Sequence, residues 1–393
     1  MRPLRAVDGF PADVRRTRAT RRFDVAFYVP QIGPLLSEGG AVPAGGAETQ
    51  VFLLARALVS RGLRVCLIAF DLPGVAIPSS VDGVEVSVRP PYRAHRWLSK
   101  LREARSVFRA ISSVDAEVLV TRAAGPDIGL AAVGAKLYRR RFVYSSANVS
   151  DFDFSRVSPK LTNRILFRLG TRLADEVVVQ TEEQRRLCEL RFRRKPILIG
   201  SIAEPAPRRE RPPQAFLWIG RMVWYKRPLE FVKLARSVPD ATFWMVGVPA
   251  GHAPEGEELL AAVAAEAAGV PNLELCAPRP RRQLLDLIER AVAIVNTAEF
   301  EGMPNIFLEG WARGVPALAL SHDPDGVIER EGLGAFAHGS AEALVDAARR
   351  LWDGLTDQSE LAGRCQRYIA ENHSLEVVAA LWEDALGLDG TRP

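Results

Sequence analysis

The sequence predicts an α/β protein of two domains, each built on a mainly parallel sheet. Its 393 residues are enough for about two domains of ordinary size. Short apolar runs alternate with segments of helical periodicity, which is typical of parallel sheets covered by helices on both faces. A proline-rich, charged segment without periodicity, residues 205–213, divides this alternation into two series and is the predicted linker.

The first series, residues 23–204, opens with a short strand and a loop rich in glycine and proline. Gly45-Gly46 lead into a helix with one apolar face, and a second buried strand follows, which makes a β-α-β unit. The predicted strands of this domain are 23–29, 63–70, 117–121, 142–146 and 176–180, and its predicted helices are 47–61, 127–137, 161–173 and 181–191.

The second series, residues 214–372, repeats the alternation. Its predicted strands are 215–219, 241–246, 273–276, 291–296 and 315–320, and its predicted helices are 229–236, 255–267 and 305–313. Ligands of open parallel sheets bind beyond the carboxyl ends of the strands. We therefore expect the strand ends of the two domains to frame one interdomain cleft.

The composition is that of a soluble globular protein, with 48% hydrophobic and 25% charged residues. No run of about 18 apolar residues occurs that would predict a membrane span. The four cysteines stand far apart and form no C-x-x-C pair, so we expect small core residues in a reducing, cytoplasmic compartment rather than disulfides or a zinc site. These cysteines are Cys66, Cys188, Cys276 and Cys365.

Residues 1–22 carry seven arginines against Asp8 and Asp13. Asp24 and Pro30 interrupt the sequence that follows, so a secretory leader is not expected. The segment is predicted to be a disordered, solvated leader, and a basic arm that touches anionic lipid stays open as an alternative.

The segment from Glu301 to Glu309 is the strongest indication of a binding site. A loop with glycine and proline runs into a helix that begins near Asn305, and the N–H groups at such a helix start suit a pyrophosphate. The two carboxylates, eight residues apart, could accept hydrogen bonds from sugar and ribose hydroxyls. An ordinary helix with surface acids remains the alternative.

Two further glycine loops follow predicted strands. Gly220 lets the chain turn, and Arg221 and Lys226 can then reach a phosphate with a forked and a point charge. A basic, solvated loop is the alternative interpretation. Gly45-Gly46 precede a helix and permit close approach of the backbone to a ligand, but they do not form the G-x-G-x-x-G fingerprint of dinucleotide sites.

Together these segments resemble the retaining glycosyltransferases of family 4, which have the GT-B fold of two Rossmann-like domains facing a cleft. The resemblance covers roughly residues 23–386 and is more specific in the C-terminal half. The matching motifs are Gly220-Arg221 with Lys226 for the G-R-x-x-x-x-K pattern, Glu301 and Glu309 for the E-x7-E pair, and Gly45-Gly46-Ala47-Glu48 for the glycine loop.

The resemblance implies roles for these residues. Arg221 and Lys226 would bind the diphosphate and stabilise its developing charge, Glu309 would hold the ribose hydroxyls, and Glu301 would lie by the donor sugar. The donor would also be lined by Gly302, Met303, Pro304 and Asn305. In this family the last helix commonly crosses back to the first domain, which is expected here of residues 373–393. No metal and no cofactor are expected. The aspartates of Asp323-Pro-Asp325 and Asp151-Phe-Asp153 match the D-x-D spacing but need not be metal ligands.

One position departs from the family pattern. Many members carry a histidine after the strand that corresponds to residues 117–121, and here Arg122 follows instead. Arg122 could donate to the sugar or the acceptor but cannot act as a base. This places the chain in a subgroup without that histidine, with Glu48 and Asn148 expected on the acceptor side.

Residues 92–111 interleave basic and apolar side chains, the pattern of an interfacial helix. Peripheral contact with an anionic membrane is therefore one expectation, and a helix packed on its own sheet is the other. Nucleic acid binding is not expected, because aromatic stacking platforms and a dense basic stripe are both missing.

The predicted function is transfer of a hexosyl group from a nucleotide diphosphate-sugar to a glycan or lipid-linked glycan, with retention, in polysaccharide or glycoconjugate synthesis. Two rivals stay open: a sugar-nucleotide epimerase or hydrolase on the same fold, and a degenerate protein that only binds the sugar nucleotide. The residues do not name the base, the sugar or the acceptor.

Overall fold

The protein contains two sheets with helices on both faces of each. The computed structural model describes residues 21–37, 45–90, 99–154, 158, 160–207, 209, 211–249, 254–354 and 359–388. The first sheet has eight strands in the order β3-β4-β2-β1-β5-β6-β7-β8, and the second has six in the order β11-β10-β9-β12-β13-β14. All neighbouring strands are parallel except β3 and β4. The predicted α/β architecture with two mainly parallel sheets is therefore confirmed.

The first sheet is built from the N-terminal half. Its strands are β1 (Phe23–Tyr28), β2 (Val65–Phe70), β3 (Ser80–Val81), β4 (Val84–Arg89), β5 (Ala116–Arg122), β6 (Arg141–Ser145), β7 (Glu176–Val179) and β8 (Ile197–Leu198). Its helices are α1 (Gly33–Leu36), α2 (Gly46–Ser60), α3 (Ser99–Ser112), α4 (Asp127–Leu137), α5 (Leu161–Leu173) and α6 (Glu182–Leu187), with a 3₁₀ turn at Val149–Phe152 and a π turn at Cys188–Phe192.

The second sheet is built from the C-terminal half. Its strands are β9 (Ala215–Met222), β10 (Phe243–Pro249), β11 (Leu273–Cys276), β12 (Ala291–Asn296), β13 (Ala317–Ala319) and β14 (Gly334–Phe336). The helices are α7 (Pro228–Ser237), α8 (Pro254–Ala267), α9 (Arg281–Glu289), α10 (Asn305–Ala312), α11 (Val327–Arg330), α12 (Ala341–Asp353), α13 (Ser359–Asn372) and α14 (Leu375–Leu386), with 3₁₀ turns at Trp224–Lys226 and Pro324–Gly326.

The continuous apolar runs of the strands follow from burial of both sheet faces. In β1, Val25 and Phe27 enter one core and Ala26 and Tyr28 enter the opposite one, because successive side chains of a strand point to opposite faces. Neither face of such a strand meets water, so polar alternation is absent from the sequence.

The last helix returns to the first domain. Trp382 and Val378 of α14 are buried against α2 in the same core as Val25. The segment that precedes β9 is held at Ile202, whose backbone N–H and C=O both bond the side chain of Gln50, at 2.7 and 2.8 Å. The chain therefore crosses between its two sheets twice.

The structure contains elements that the sequence prediction omitted, among them β8, β14 and α9, and three other differences concern the leader, one hairpin and one helix. Arg21 and Arg22, assigned to the leader, are fixed: the Arg21 guanidinium donates to the carbonyl oxygen of Ala116 at 2.8 Å, and Arg22 pairs with Glu85. Residues 1–20 lie outside the described residues. The hairpin of β3 and β4 was not predicted, because its strands are short and half exposed. The predicted helix 181–191 ends as α helix at Leu187 and continues as the π turn.

The predicted membrane-facing segment 92–111 lies only partly within the described residues, which omit 91–98. In α3 the side chains of Val107, Ala110 and Ile111 are buried in the core of the first domain. This apolar face packs on the protein itself, so the described helix does not offer it to lipid. None of the helices in the described part of the chain combines the length and apolar character that crossing a bilayer requires.

The expectation that the cysteines are core residues is confirmed, because all four are buried and unpaired. Burial raises the pKa of Cys66, Cys188 and Cys365 to about 12, so these thiols stay protonated at neutral pH.

Candidate active site

Loops that follow strands of the first sheet contact loops that follow strands of the second sheet. Asn305, the first residue of α10, donates from Nδ2 to the carbonyl oxygen of Gly46 at 2.8 Å. A Cβ on Gly302 would lie 2.9 Å from the carbonyl oxygen of Ala147 and 2.7 Å from Nε2 of Gln184. The predicted glycine loop and the predicted 301–309 segment are thus brought together, each from a different sheet.

Glu301 and Lys226 form an ion pair next to this contact. Both are withdrawn from solvent, with 10% of the Glu301 side chain and 18% of the Lys226 side chain exposed. Asn296, the last residue of β12, donates from Nδ2 to the same carboxylate oxygen at 3.0 Å. Burial acts to raise the pKa of Glu301, but the Lys226 charge and these hydrogen bonds outweigh it and hold the pKa below its usual value.

Two polar residues that sequence reasoning missed fix this pair. Thr297 donates from Oγ1 to the carbonyl oxygen of Lys226 at 2.6 Å and accepts from Nε1 of Trp218 at 3.0 Å. Asn296 accepts from the N–H of Ala298 through Oδ1 at 2.7 Å. Because these bonds join the loops after β9 and β12, the carboxylate and the ammonium have little freedom to separate. The feature of the sequence that could have identified them is an Asn-Thr pair at the end of a buried strand.

Glu309 lies half-buried in α10 and also has a cationic partner. Arg281, at the start of α9, pairs with it and reaches Oε2 of Glu204 at 3.4 Å. Burial opposes the charge of Arg281, but Glu309 and Glu204 together raise its pKa. Glu204 in turn pairs with Arg56 of α2 at 2.7 Å. A chain of alternating charges therefore joins Glu309 to the first domain, and sequence reasoning did not predict Arg281.

The start of α10 is suited to an anion. Gly302, Met303 and Pro304 are buried, and in the described part of the chain no side chain caps the helix. The carbonyl oxygen of Gly302 lies 3.1 Å from Nε2 of His322, which anchors the loop. Uncapped N–H groups at a helix N-terminus carry partial positive charge and bind phosphate well.

Arg221 extends from the end of β9 and is exposed, with Nη2 3.3 Å from the hydroxyl of Tyr225. Gly220 before it permits close packing, because a Cβ there would lie 3.0 Å from the indole of Trp218. The Tyr225 ring stacks on Phe300 with centroids 5.0 Å apart. The structure thus places Arg221 near the end of β9 with an exposed side chain, and Lys226 in the 3₁₀ turn that follows.

Arg122 faces a pocket of about 200 Å³ on the first domain, at the carboxyl ends of β1 and β5. Its Nη1 donates to Oγ of Ser145 at 3.2 Å, while its buried Nε has no partner among the residues that the structure describes. Burial lowers the pKa of Arg122 to about 10, although the nearby carboxylates of Asp151 and Glu48 oppose this effect. The residue remains a cation and a donor at neutral pH.

The two residues expected on the acceptor side have different surroundings. Glu48 lines the pocket of Arg122, and its carboxylate folds back over Gly45. Asn148 instead caps the 3₁₀ turn, since its Oδ1 accepts from the N–H of Ser150 at 3.0 Å and Asp151 accepts from its own N–H. The Asn148 carbonyl group is therefore occupied in holding the loop.

Three of the four aspartates that match a D-x-D spacing accept hydrogen bonds from backbone N–H groups. Asp323 accepts from Ile328, and Asp325 accepts from Glu182 and Glu183 at the start of α6 in the other domain. Asp151 accepts from the N–H of Ala147 at 2.7 Å. Among the described residues no group of three or more histidines, cysteines or carboxylates is arranged to hold a metal ion.

Two family models match the chain in succession. The glycosyl transferase 4-like domain matches residues 45–199, and the glycosyl transferases group 1 domain matches residues 213–354. Between them they include every strand except β1. The chain belongs to the glycosyltransferases. A comparison with curated protein sequences finds no significant match.

Solved structures place this glycosyltransferase in the GT-B fold. Sucrose-phosphate synthase from Thermosynechococcus elongatus is 13% identical with a TM-score of 0.70, covering 93% of this chain and 99% of that one. Anabaena HepE, solved with UDP and glucose, is 15% identical with a TM-score of 0.68 and the same coverage. A glycosyltransferase from Rickettsia africae is 13% identical with a TM-score of 0.66, covering 94% and 99%.

The structure of this glycosyltransferase brings several of the predicted site residues close together in space. Glu301, Lys226 and the start of α10 are adjacent, with Gly46 opposite them. Glu309 is joined to Arg281, and Arg122 borders a pocket of the first domain that Ala47 and Glu48, next to Gly46, also line.

Proposed function

We propose that this enzyme transfers a hexosyl group from a nucleotide diphosphate-sugar to a hydroxyl of a glycan or lipid-linked glycan, with retention at the anomeric carbon. The observation that carries the proposal is the convergence at one place of the Lys226–Glu301 pair and the uncapped start of α10. A cation and free N–H groups together stabilise the charge of a departing diphosphate.

A uridine diphosphate sugar is the first donor to test. HepE has been solved with UDP-glucose and with UDP, and a Staphylococcus aureus TarM variant with UDP. We assign the ribose diol to Glu309, whose carboxylate would accept its two hydroxyl hydrogens. Arg281 would then shift from Glu309 towards Glu204, its other partner.

The chemical step breaks the bond between the anomeric carbon and the diphosphate oxygen, and the electron pair leaves with the diphosphate. Lys226 and Arg221 stabilise that charge, so we propose that the reaction needs no metal. The acceptor oxygen attacks the same face of the sugar. Because Arg122 stays protonated, we assign the acceptor's proton to an oxygen of the leaving diphosphate. Glu301 lies beside the donor sugar.

The acceptor is assigned to the pocket of the first domain. There the Arg122 guanidinium, whose Nε has no partner among the described residues, and the carboxylate of Glu48 supply a donor and an acceptor for hydroxyl groups. We also propose that the chain belongs to the subgroup without the first-domain histidine, because Arg122 stands at that position. An acceptor pocket supports transfer over epimerisation or hydrolysis. We propose a cytoplasmic role in the synthesis of cell-surface polysaccharide or glycoconjugate.

The test is a thermal-shift screen of the full chain against UDP-, GDP-, ADP- and dTDP-sugars in the presence of a chelator. We expect one donor to raise the midpoint of thermal unfolding, and we expect no such rise in the Lys226→Ala variant. In a transfer assay with that donor, Lys226→Ala should reduce kcat/KM by about 10³. Lys233→Ala is the matched control, because Lys233 lies exposed on α7. Equal donor stabilisation in Lys226→Ala and wild type would remove Lys226 from the site, and full donor consumption without acceptor would favour an epimerase or hydrolase.

A further inference from the structure

Helix α5 exposes a row of large apolar side chains on the first domain. Leu161, Ile165 and Leu169 follow one another at intervals of four residues and are 68%, 57% and 38% exposed. Residues four apart lie on one face of a helix, so the three form a continuous stripe. The opposite side of the helix is buried through Phe167 and Gly170. The stripe therefore faces solvent while α5 is anchored by its other face.

A row of arginines runs beside this stripe. Arg164, Arg168 and Arg172 each follow one apolar residue of the stripe by three positions, so the two rows are neighbours along the whole helix. Helix α5 contains no acidic residue, and Lys160 precedes it. The face thus combines a net charge of three from its arginines with exposed apolar surface.

Several contacts hold the helix and its cations in place. Arg164 donates from Nε to the carbonyl oxygen of Ser158 at 2.6 Å, and the Arg168 guanidinium lies 5.4 Å over the ring of Phe154. Close packing fixes the backbone, because a Cβ on Gly170 would lie 2.8 Å from the carbonyl carbon of Ile128 in α4. The exposed stripe cannot rotate into the core without breaking this packing.

We propose that this double row docks the enzyme on the surface of an anionic lipid bilayer. A helix that lies in a membrane interface buries its apolar face at the acyl boundary and directs its arginines to the headgroups. Anionic lipid complements the arginine row, whereas a second copy of this chain would bring the same cations into apposition. The docking surface is α5, not the predicted segment 92–111, whose described apolar residues are buried.

The position of α5 relates this surface to the cleft. The helix that connects two parallel strands runs antiparallel to them, so α5 begins near the carboxyl ends of the strands of the first sheet. Leu161 therefore lies at the end of the helix nearer the loop that follows β6. Docking along α5 would bring the carboxyl ends of these strands close to the membrane, where a lipid-linked acceptor is held. Only this consequence rests on the proposed function.

Cosedimentation of the full chain with vesicles tests the proposal. We expect binding to vesicles of phosphatidylcholine with phosphatidylglycerol, loss of binding with phosphatidylcholine alone, and weakening as salt is raised. Ile165→Asp and Arg172→Glu should each reduce binding at least about tenfold. Leu381→Asp is the matched control, because Leu381 is 42% exposed on α14, where acidic residues replace the arginine row.

The outcomes separate the surface from the active site. Thermal midpoints and donor-induced stabilisation, measured without vesicles, should be the same in Ile165→Asp and wild type. Vesicle binding that is absent in the wild type, or unchanged in both α5 variants, overturns the proposal. So does a wild-type dimer that Ile165→Asp converts to a monomer without any vesicle binding, since the stripe would then cover a second copy of the chain.

Discussion

At Glu301, burial and a neighbouring charge act in opposite directions on one carboxylate. Removing a carboxylate from water disfavours its ionised form, whereas Lys226 and Asn296 favour it. The balance keeps Glu301 charged and Lys226 paired in the absence of donor. A diphosphate that approaches Lys226 therefore meets a cation whose position is already fixed, which lowers the cost of organising the site.

This pair makes stability depend on acid pH. Because the folded-state pKa of Glu301 lies below 4.5, its ionised form stabilises the fold above that pH, and the contribution is lost as the pH falls through the folded-state pKa. We expect Glu301→Gln to lower the free energy of unfolding by about 3 kcal/mol at neutral pH. In urea unfolding, the difference from wild type should shrink in acid.

Glu299→Gln is the control for that measurement, since Glu299 is exposed two residues away. It should match the wild type at every pH. A difference between Glu301→Gln and wild type that stays constant down to the lowest accessible pH would contradict the assigned pKa direction.

At the scale of elements, the start of α10 determines how closely the two sheets approach. Gly302 lies against the backbone of Ala147, which leaves no room for a Cβ, and Gly46 lies against the side chain of Asn305. The Asp325 carboxylate adds a second link, because it caps α6 from the other domain. The contacts of Gly302 and Asn305 each involve a backbone carbonyl group of the first domain, so they limit how far the strand ends that frame the cleft can separate.

A methyl group at Gly302 should therefore impair activity. In Gly302→Ala the new Cβ would meet a backbone carbonyl at 2.9 Å, which must move the α10 loop away from the first domain. We expect kcat/KM to fall by about 100-fold, because displacement of a reacting group by about 1 Å has effects of that size. The thermal midpoint reports whether the domains stay folded.

Gly269→Ala provides the comparison, because a Cβ there would have no neighbour within 4 Å. Its activity and midpoint should equal those of the wild type. Equal kcat/KM in Gly302→Ala and Gly269→Ala would show that the contact with Ala147 does not position the loop.

At the scale of the whole molecule, His373 joins the two segments in which the chain passes between its domains, one before β9 and one before α14. It stands between α13 and α14, and its Nδ1 lies 2.6 Å from the carbonyl oxygen of Ser201 in the segment before β9. Its own carbonyl oxygen accepts from the N–H of Ala203 at 2.8 Å. Burial lowers the pKa of His373, against a smaller effect of the Ser201 hydrogen bond, so the ring is neutral in the folded protein.

Protonation of His373 should loosen this junction. A lowered folded-state pKa means that its contribution is complete above 6.5 and is lost progressively as the pH falls below that value. We expect the thermal midpoint of wild type to drop between pH 8 and pH 5.5, and His373→Ala to show a smaller drop from a lower starting midpoint. His338→Ala, at an exposed histidine, should keep the wild-type drop. An equal drop in all three proteins would exclude His373 as the group responsible.

The sequence by itself determined the two α/β series, the order of the glycine loops and the E-x7-E and G-R-x-x-x-x-K motifs. Local patterns are sufficient for these features, since hydrophobic periodicity and turn residues act over a few positions. They also placed Glu301, Lys226 and Asn305 near strand ends, where a parallel sheet forms its sites.

Only the tertiary structure decided which partners these residues have. Arg281 reaches Glu309 from another helix, Asp325 caps a helix of the other domain, and the apolar face of α3 is buried while that of α5 is exposed. Helical periodicity gives the existence of an apolar face but not what covers it. Side-chain pairing and burial depend on how segments that are distant in the sequence pack together, and local residue spacing does not determine that packing.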